Sequence, residues 1–164
     1  LAFKDHKNIL QELIDKNIKC VFNQGLDIRL IDEENSKLLS QINFFENIIF
    51  AFDDWSYLKI IEEKLKLLTW VKPWGLKFYT YVNPKMELSN IVNRLNWLKN
   101  NQLLPYVMRD ITCWDSEYKN FYIDIASWGN QVAFFKKLEF KEFMYKRTKN
   151  VERIENSINL FYNT

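Results

Sequence analysis

Apolar residues along the chain follow two spacings, one typical of helices and one typical of buried strands. Short continuous apolar runs predict four strands. These runs lie near residues 19–23, 47–52, 76–82 and 105–110. The segments between them carry apolar residues three and four positions apart, as Leu58, Ile61 and Leu65 do, and this spacing predicts amphipathic helices.

Strands and helices alternate along residues 1–115, and this order predicts an α/β fold. Short apolar strands joined by helices indicate a parallel sheet with right-handed crossovers. A repeat of about 28 residues fits a partial (β/α) barrel with about four parallel strands in sequential order. A doubly wound sheet is the alternative, but no Gly-rich phosphate loop follows any strand. Residues 116–164 are predicted to form a mostly helical, aromatic C-terminal tail packed on the same domain.

Polar side chains stand where each predicted strand ends. In "NIIFAFDDW", an apolar run leads directly into Asp53 and Asp54. Two adjacent carboxylates repel each other and resist desolvation, so they need water, a hydroxyl or a cation nearby. Arg29, Asn83 and Arg109 stand at the ends of the other three runs. Because parallel strands bring such ends to one rim, the sequence predicts a ligand site built from these five residues.

Structural roles compete with this interpretation. Either aspartate, or Ser56, is a suitable N-cap for the helix that follows. Arg29 and Arg109 are equally suited to pair with acids on the surface.

Composition and charge exclude some classes of function. The net charge is +2, from 23 basic and 21 acidic residues, so we expect no nucleic acid and no membrane as a partner. No stretch approaches the ~18 apolar residues of a membrane span, and no secretory leader is evident, so a cytoplasmic protein is expected. Cys20 and Cys113 lack metal-ligand spacing, and the one histidine, His6, follows no strand, so no nucleophilic triad is evident.

The stretch "NQGLDIR", followed by "LIDEENSKLL", resembles radical S-adenosylmethionine (SAM) proteins. "NIIFAFDDW", "LKFYTYV" and "LPYVMRD" are similar to the next strands of that family, so the resemblance covers residues 1 to about 115. Family members hold a [4Fe-4S] cluster with a CxxxCxxC loop, which this chain lacks. The resemblance therefore implies the C-terminal portion of a bacterial radical SAM enzyme, which needs SAM and the cluster when intact and is inactive as this chain alone.

The resemblance also suggests a role for each candidate residue. Asp53 and Asp54 would accept hydrogen bonds from the adenosyl ribose, and Arg29 would bind the methionyl carboxylate. Asn83 and Arg109 would contact SAM or the unknown substrate.

Two other functions stay open at this point. One is a stand-alone module that binds a nucleoside, a peptide or a partner protein. The other is an unrelated βα enzyme that uses Asp53 and Asp54 as general acid and base or as metal ligands. If early strands of a barrel are absent, we also expect self-association through the open barrel edge, or a tail that covers the open side as a lid.

Overall fold

A computed structural model describes all residues from Leu1 to Thr164, as an α/β fold with one open sheet. The three strands are β1 (Ile48–Ala51), β2 (Leu76–Val82) and β3 (Leu104–Arg109). Eight helices accompany them: α1 (His6–Asp15), α2 (Glu33–Gln41), α3 (Leu58–Leu65), α4 (Leu88–Asn100), α5 (Lys119–Gly129), α6 (Val132–Lys137), α7 (Phe140–Arg147) and α8 (Val151–Tyr162). Short 3₁₀ turns cover Ile28–Leu30, Trp55–Tyr57, Pro73–Gly75 and Ile111–Trp114.

Strand β2 lies between β1 and β3 and runs parallel to both. The spatial order β1-β2-β3 follows the chain order, as the repeated strand–helix unit predicted. Along β2, buried and half-buried side chains alternate, because successive residues of a strand point to opposite faces.

The two faces of the sheet differ in what covers them. Helices cover one face, where Phe50 and Phe78 are fully buried. The register places Ala51, Tyr79 and Tyr106 side by side on the other face. This second face is open around Tyr106 and Met108, which are 44% and 42% exposed, whereas Ile49 on the same face is buried.

The chain does not form the strand predicted near residues 19–23. Two isolated parallel bridges join this part of the chain to its neighbours, Cys20 to Phe44 and Leu26 to Phe50. Between the bridges the chain turns, with the Gly25 N–H donating to the Phe22 carbonyl oxygen at 2.9 Å. Because of this turn, the backbone N–H and C=O groups between the two bridges do not form the continuous hydrogen bonds of a strand. The sheet therefore has three strands. The strand predicted near residues 19–23 is absent, so neither a sheet of four strands nor the barrel is confirmed.

Residues beyond 116 form α5 to α8, and these helices pack on the helix-covered side of the sheet. Val82 and Val107 of the strands share one apolar cluster with Phe121 and Trp128 of α5. Trp128 contacts the rings of Phe135, Phe140 and Phe161, at centroid distances of 4.6, 5.5 and 5.5 Å. The tail therefore does not cover the open face, and the expectation of a lid was wrong.

Candidate functional site

A cleft of ≈ 370 Å³ opens where β1 ends. One wall is the segment of residues 24–29, and the other runs from Ala51 to Tyr57. Three of the five predicted site residues line this cleft, namely Arg29, Asp53 and Asp54. The structure thus brings together the side chains that follow the first two predicted strands.

Two long-range hydrogen bonds hold the first wall against the sheet. The Leu26 N–H donates to the Ile49 carbonyl oxygen at 2.7 Å, and the Tyr79 hydroxyl donates to the Asn23 carbonyl oxygen at 2.7 Å. Gly25 lies between these anchors with φ +73°, a left-handed conformation that glycine adopts without strain. The cleft wall therefore depends on Gly25.

Asp53 links the ends of two strands. Its Oδ1 accepts a hydrogen bond from the Tyr81 backbone N–H of β2 at 3.1 Å. Its Oδ2 has no partner within the protein, and the residue lines the cleft. One carboxylate oxygen is therefore structural, and the other is available to a ligand.

Asp54 caps the Trp55–Tyr57 turn and also lines the cleft. Its Oδ1 accepts a hydrogen bond from the Ser56 backbone N–H at 2.8 Å, at the start of the Trp55–Tyr57 turn. Hydrogen bonds from Ser56 lower the pKa of Asp54, and the positive charge of Arg94 adds to this effect. Asp54 therefore caps the 3₁₀ turn that precedes α3, whereas α3 itself has Tyr57 at its N-cap position and no side-chain cap.

Behind the two aspartates lies a fully buried arginine, Arg94 of α4. Its Nη1 donates to the carbonyl oxygens of Phe52 at 2.8 Å and Tyr81 at 3.1 Å, and its Nη2 also donates to Tyr81 at 3.1 Å. Burial lowers the pKa of Arg94 to about 10, while the charges of Asp53 and Asp54 oppose that shift. The guanidinium therefore stays charged at neutral pH and offsets the two carboxylates in front of it.

Arg29 already has an acidic partner at the mouth of the cleft. Its Nε and Nη2 donate to the Asp27 carboxylate at 2.9 and 2.8 Å, and its guanidinium lies 5.1 Å from the centre of the Tyr57 ring. The hydrogen bond from Arg29 lowers the pKa of Asp27, and the same bond raises the pKa of Arg29. Its Nη1 has no partner within the protein and is the part of the fork that a ligand can reach.

Asn83 and Arg109 do not line this cleft. The Asn83 Oδ1 accepts a hydrogen bond from the Lys85 backbone N–H at 2.9 Å, which closes a local turn. Arg109 lies 4.7 Å from the centre of the Trp114 ring and lines a separate hollow of ≈ 520 Å³ beside β3. The five predicted residues therefore do not form one cavity.

Sequence analysis missed Arg94, although the pattern held a signal. Position 94 lies three residues after Ile91 and four before Leu98, on the apolar stripe of α4. A charged residue on a buried stripe is unusual unless it is paired or hydrogen-bonded. That exception to the helix pattern is what could have identified it.

The cysteines of this chain do not fit a [4Fe-4S] cluster. Cluster ligation needs several thiolates close together, and the chain has only two cysteines. Cys113 is buried in the core, where its thiol donates to the Val82 carbonyl oxygen at 3.5 Å, and Cys20 is half-buried at the bridge to Phe44. No group of three His, Cys, Asp or Glu side chains is placed to hold a metal ion.

Comparison with known proteins gives no match, either to a family model, to a curated protein or to a solved structure. The helices are each too short or too polar to span a bilayer. The chemistry of the cleft is therefore the available guide to function. It offers unpartnered carboxylate oxygens, one free edge of a guanidinium and a tyrosine ring.

Proposed function

We propose that this chain is the C-terminal portion of a radical SAM enzyme and supplies contacts to SAM and to the substrate, but not to the cluster. In the intact protein, the three parallel strands would be part of a partial (β/α) barrel. The proposal includes Asn83 and Arg109 as contacts near the same rim, outside the cleft that holds the other three residues. Bacterial origin, cytoplasmic location and self-association stay predictions.

The observation that carries the proposal is the convergence of Arg29, Asp53 and Asp54 on one cleft at the end of a parallel strand. Ligands of open α/β sheets bind at this end of the strands. Arg29 is distant in sequence from Asp53 and Asp54, yet these oppositely charged residues line the same cleft. Purely structural roles for the three residues would not require them to meet.

The donors and acceptors in the cleft suit an adenosyl ligand. Carboxylate oxygens of Asp53 and Asp54 are acceptors for the two adjacent hydroxyls of a ribose. The free Nη1 of Arg29 is a donor for a carboxylate, and the Tyr57 ring provides an apolar surface beside it. When bound, SAM supplies the reactive sulfonium group, and the residues named here only bind and orient it.

Calorimetry with this chain tests the proposal. We expect SAM and adenosine to bind, and 2′-deoxyadenosine to bind about tenfold more weakly, since one lost hydrogen bond to a charged group costs ~1.5 kcal/mol. Asp54→Asn keeps an N-cap residue but removes the charge, and should weaken adenosine binding by about the same factor. Asp115→Asn is the matched control, because Asp115 is exposed, has no side-chain hydrogen bond and lies outside the cleft.

The other outcomes of this experiment are also informative. Adenosine binding as tight as SAM binding would favour the stand-alone binding module. Binding of Mg²⁺ that is lost in Asp53→Asn would favour the unrelated βα enzyme. No binding of any adenosyl ligand by the unaltered chain would contradict the proposal.

A further inference from the structure

The guanidinium of Arg94 joins the two strand ends that hold the carboxylate of Asp53. It donates to the carbonyl oxygen of Phe52, the residue immediately before Asp53. It also donates to the carbonyl oxygen of Tyr81, the residue whose N–H binds the Asp53 carboxylate. Asp53 is thus held between two backbone segments that share one buried donor.

These carbonyl groups lie where the pairing of β1 with β2 comes to an end. The last hydrogen bond between them runs from the Phe52 N–H to the Tyr79 carbonyl oxygen, at 2.8 Å. Beyond this point the strands separate, and buried carbonyl oxygens need another donor. Arg94 provides it from α4, and its remaining contacts reach the Met86 sulfur at 3.6 Å and the Asn90 carbonyl oxygen at 3.3 Å.

Arg94 also sets the charge balance behind the cleft. It has no carboxylate in direct hydrogen-bond contact, although it is fully buried. Its positive charge therefore acts on the pair of aspartates through space. The charged and titratable groups that face Asp54 are Asp53 and Arg94 from behind, and Asp27, Arg29 and Tyr57 around the cleft.

We propose that Arg94 is a positioning residue of this cleft. Its guanidinium holds the Asp53 backbone so that one carboxylate oxygen binds Tyr81 and the other faces the ligand, and its charge relieves the repulsion between Asp53 and Asp54. The ligand class, a molecule with two adjacent hydroxyls, rests on the proposed function. The positioning itself does not, because it can be measured without a ligand.

Two substitutions separate charge from geometry. Arg94→Lys keeps a cation but cannot donate to both strand ends with the same planar fork. Arg94→Met keeps much of the stem and removes the charge. Val92→Ala is the matched control, because Val92 is buried on the same helix and has no contact with the strand ends through a polar group.

The first measurement is made by NMR on the ligand-free protein. We expect Tyr81 amide exchange to be faster by about tenfold or more in both Arg94 variants, since loss of ~1.4 kcal/mol of local stability has that effect. In Val92→Ala, the Tyr81 amide should exchange no faster than the amides of its neighbours in β2. We also expect the titration midpoint of the Asp54 carboxyl to rise in Arg94→Met and to stay in place in Val92→Ala.

The second measurement is adenosine affinity in the same variants. We expect about tenfold weaker binding in Arg94→Lys and no change in Val92→Ala, once both are compared at a temperature where they are folded. An unchanged Tyr81 amide in both Arg94 variants would overturn the inference, and so would unfolding of Arg94→Lys while Val92→Ala stays folded. If the unaltered chain binds no adenosine, the proposed function fails, and the amide result still decides the role of Arg94.

Discussion

At the scale of single residues, Asp110 shows how a rim carboxylate is used for structure. Its Oδ1 accepts hydrogen bonds from the Thr112 N–H at 2.9 Å and hydroxyl at 2.6 Å, and its Oδ2 accepts one from the Tyr81 hydroxyl. The bonds from Thr112, and next the bond from Tyr81, lower the pKa of Asp110 to about 2. Asp110 thus has a structural role alone, whereas Asp53 and Asp54 form backbone hydrogen bonds and also line the cleft.

This pKa predicts a specific dependence of stability on pH. An aspartate titrates at about 3.9 when unfolded, so its folded-state bonds contribute fully above that pH and are lost as pH falls through about 2. We expect the melting temperature of the unaltered protein to exceed that of Asp110→Asn at pH 7, and the difference to shrink between about pH 4 and about pH 2. Circular dichroism melts at several pH values measure this.

Asp115→Asn is the control for the pH series, since the Asp115 side chain forms no hydrogen bond. Its melting temperature should follow that of the unaltered protein across the range. A difference for Asp110→Asn that is the same at every pH would show that the Asp110 bonds do not depend on its charge.

At the scale of secondary-structure elements, the outer edge of β3 is protected by the residue that follows α5. The Val107 N–H donates to the Asn130 Oδ1 at 2.6 Å, and the Asn130 Nδ2 donates to the Val107 carbonyl oxygen at 3.1 Å. Pro105 has no N–H to offer at this edge. Helix α5 can approach β3 this closely because residue 129 is a glycine. A Cβ at this position would lie 2.9 Å from Val107 Cγ2, which is too close. Edge strands with free backbone groups tend to pair with other chains, and Asn130 occupies the free N–H and C=O of Val107 at this edge.

Removal of the Asn130 amide should therefore weaken the fold and expose the edge. We expect Asn130→Ala to lower the free energy of unfolding by ~1–3 kcal/mol, because the backbone N–H and C=O of buried Val107 both lose their hydrogen-bond partner. Light scattering should also detect more self-association than in the unaltered chain. Gln131→Ala is the control, since its exposed side chain forms no hydrogen bond. Equal stability and equal scattering in the two variants would show that Asn130 has no protective role.

At the scale of the whole molecule, one buried carboxylate joins three helices of the tail. Asp124 of α5 is fully buried and accepts hydrogen bonds from Arg147 at the end of α7, and from Arg153 and Ser157 of α8. The distances are 2.8, 2.6 and 2.9 Å. Since α5 packs directly on β3, this network fixes the tail to the sheet.

Substitution of this carboxylate should affect the stability of the entire chain. We expect Asp124→Asn to lower the free energy of unfolding by ~3 kcal/mol, because two partly buried arginines lose their partner. Urea unfolding followed by tryptophan fluorescence measures this, since Trp128 lies in the tail cluster and Trp97 packs on the other cluster. Glu155→Gln, an exposed carboxylate of α8 without a partner, is the control. A change below ~0.5 kcal/mol would show that the network is not structural.

Part of the candidate site could be predicted from the sequence. The abrupt change from Phe52 to Asp53 and Asp54 marks a strand end, and the structure places both aspartates in a cleft with Arg29. The separation of Arg109 from that cleft could not be predicted. Its side chain instead lies over Trp114, a contact set by the turn after β3.

Local pattern by itself determined the positions of three strands and the helical character of the segments between them. These features depend on residues within one or two helical turns of each other. Only the tertiary structure decided that residues 20–26 join the sheet by isolated bridges alone. It also decided that Arg94 donates hydrogen bonds to the carbonyl oxygens at the ends of β1 and β2. Arg94 is 42 residues from its partner Phe52, so the contact exists only because α4 packs across the sheet and buries a charge that must find acceptors there.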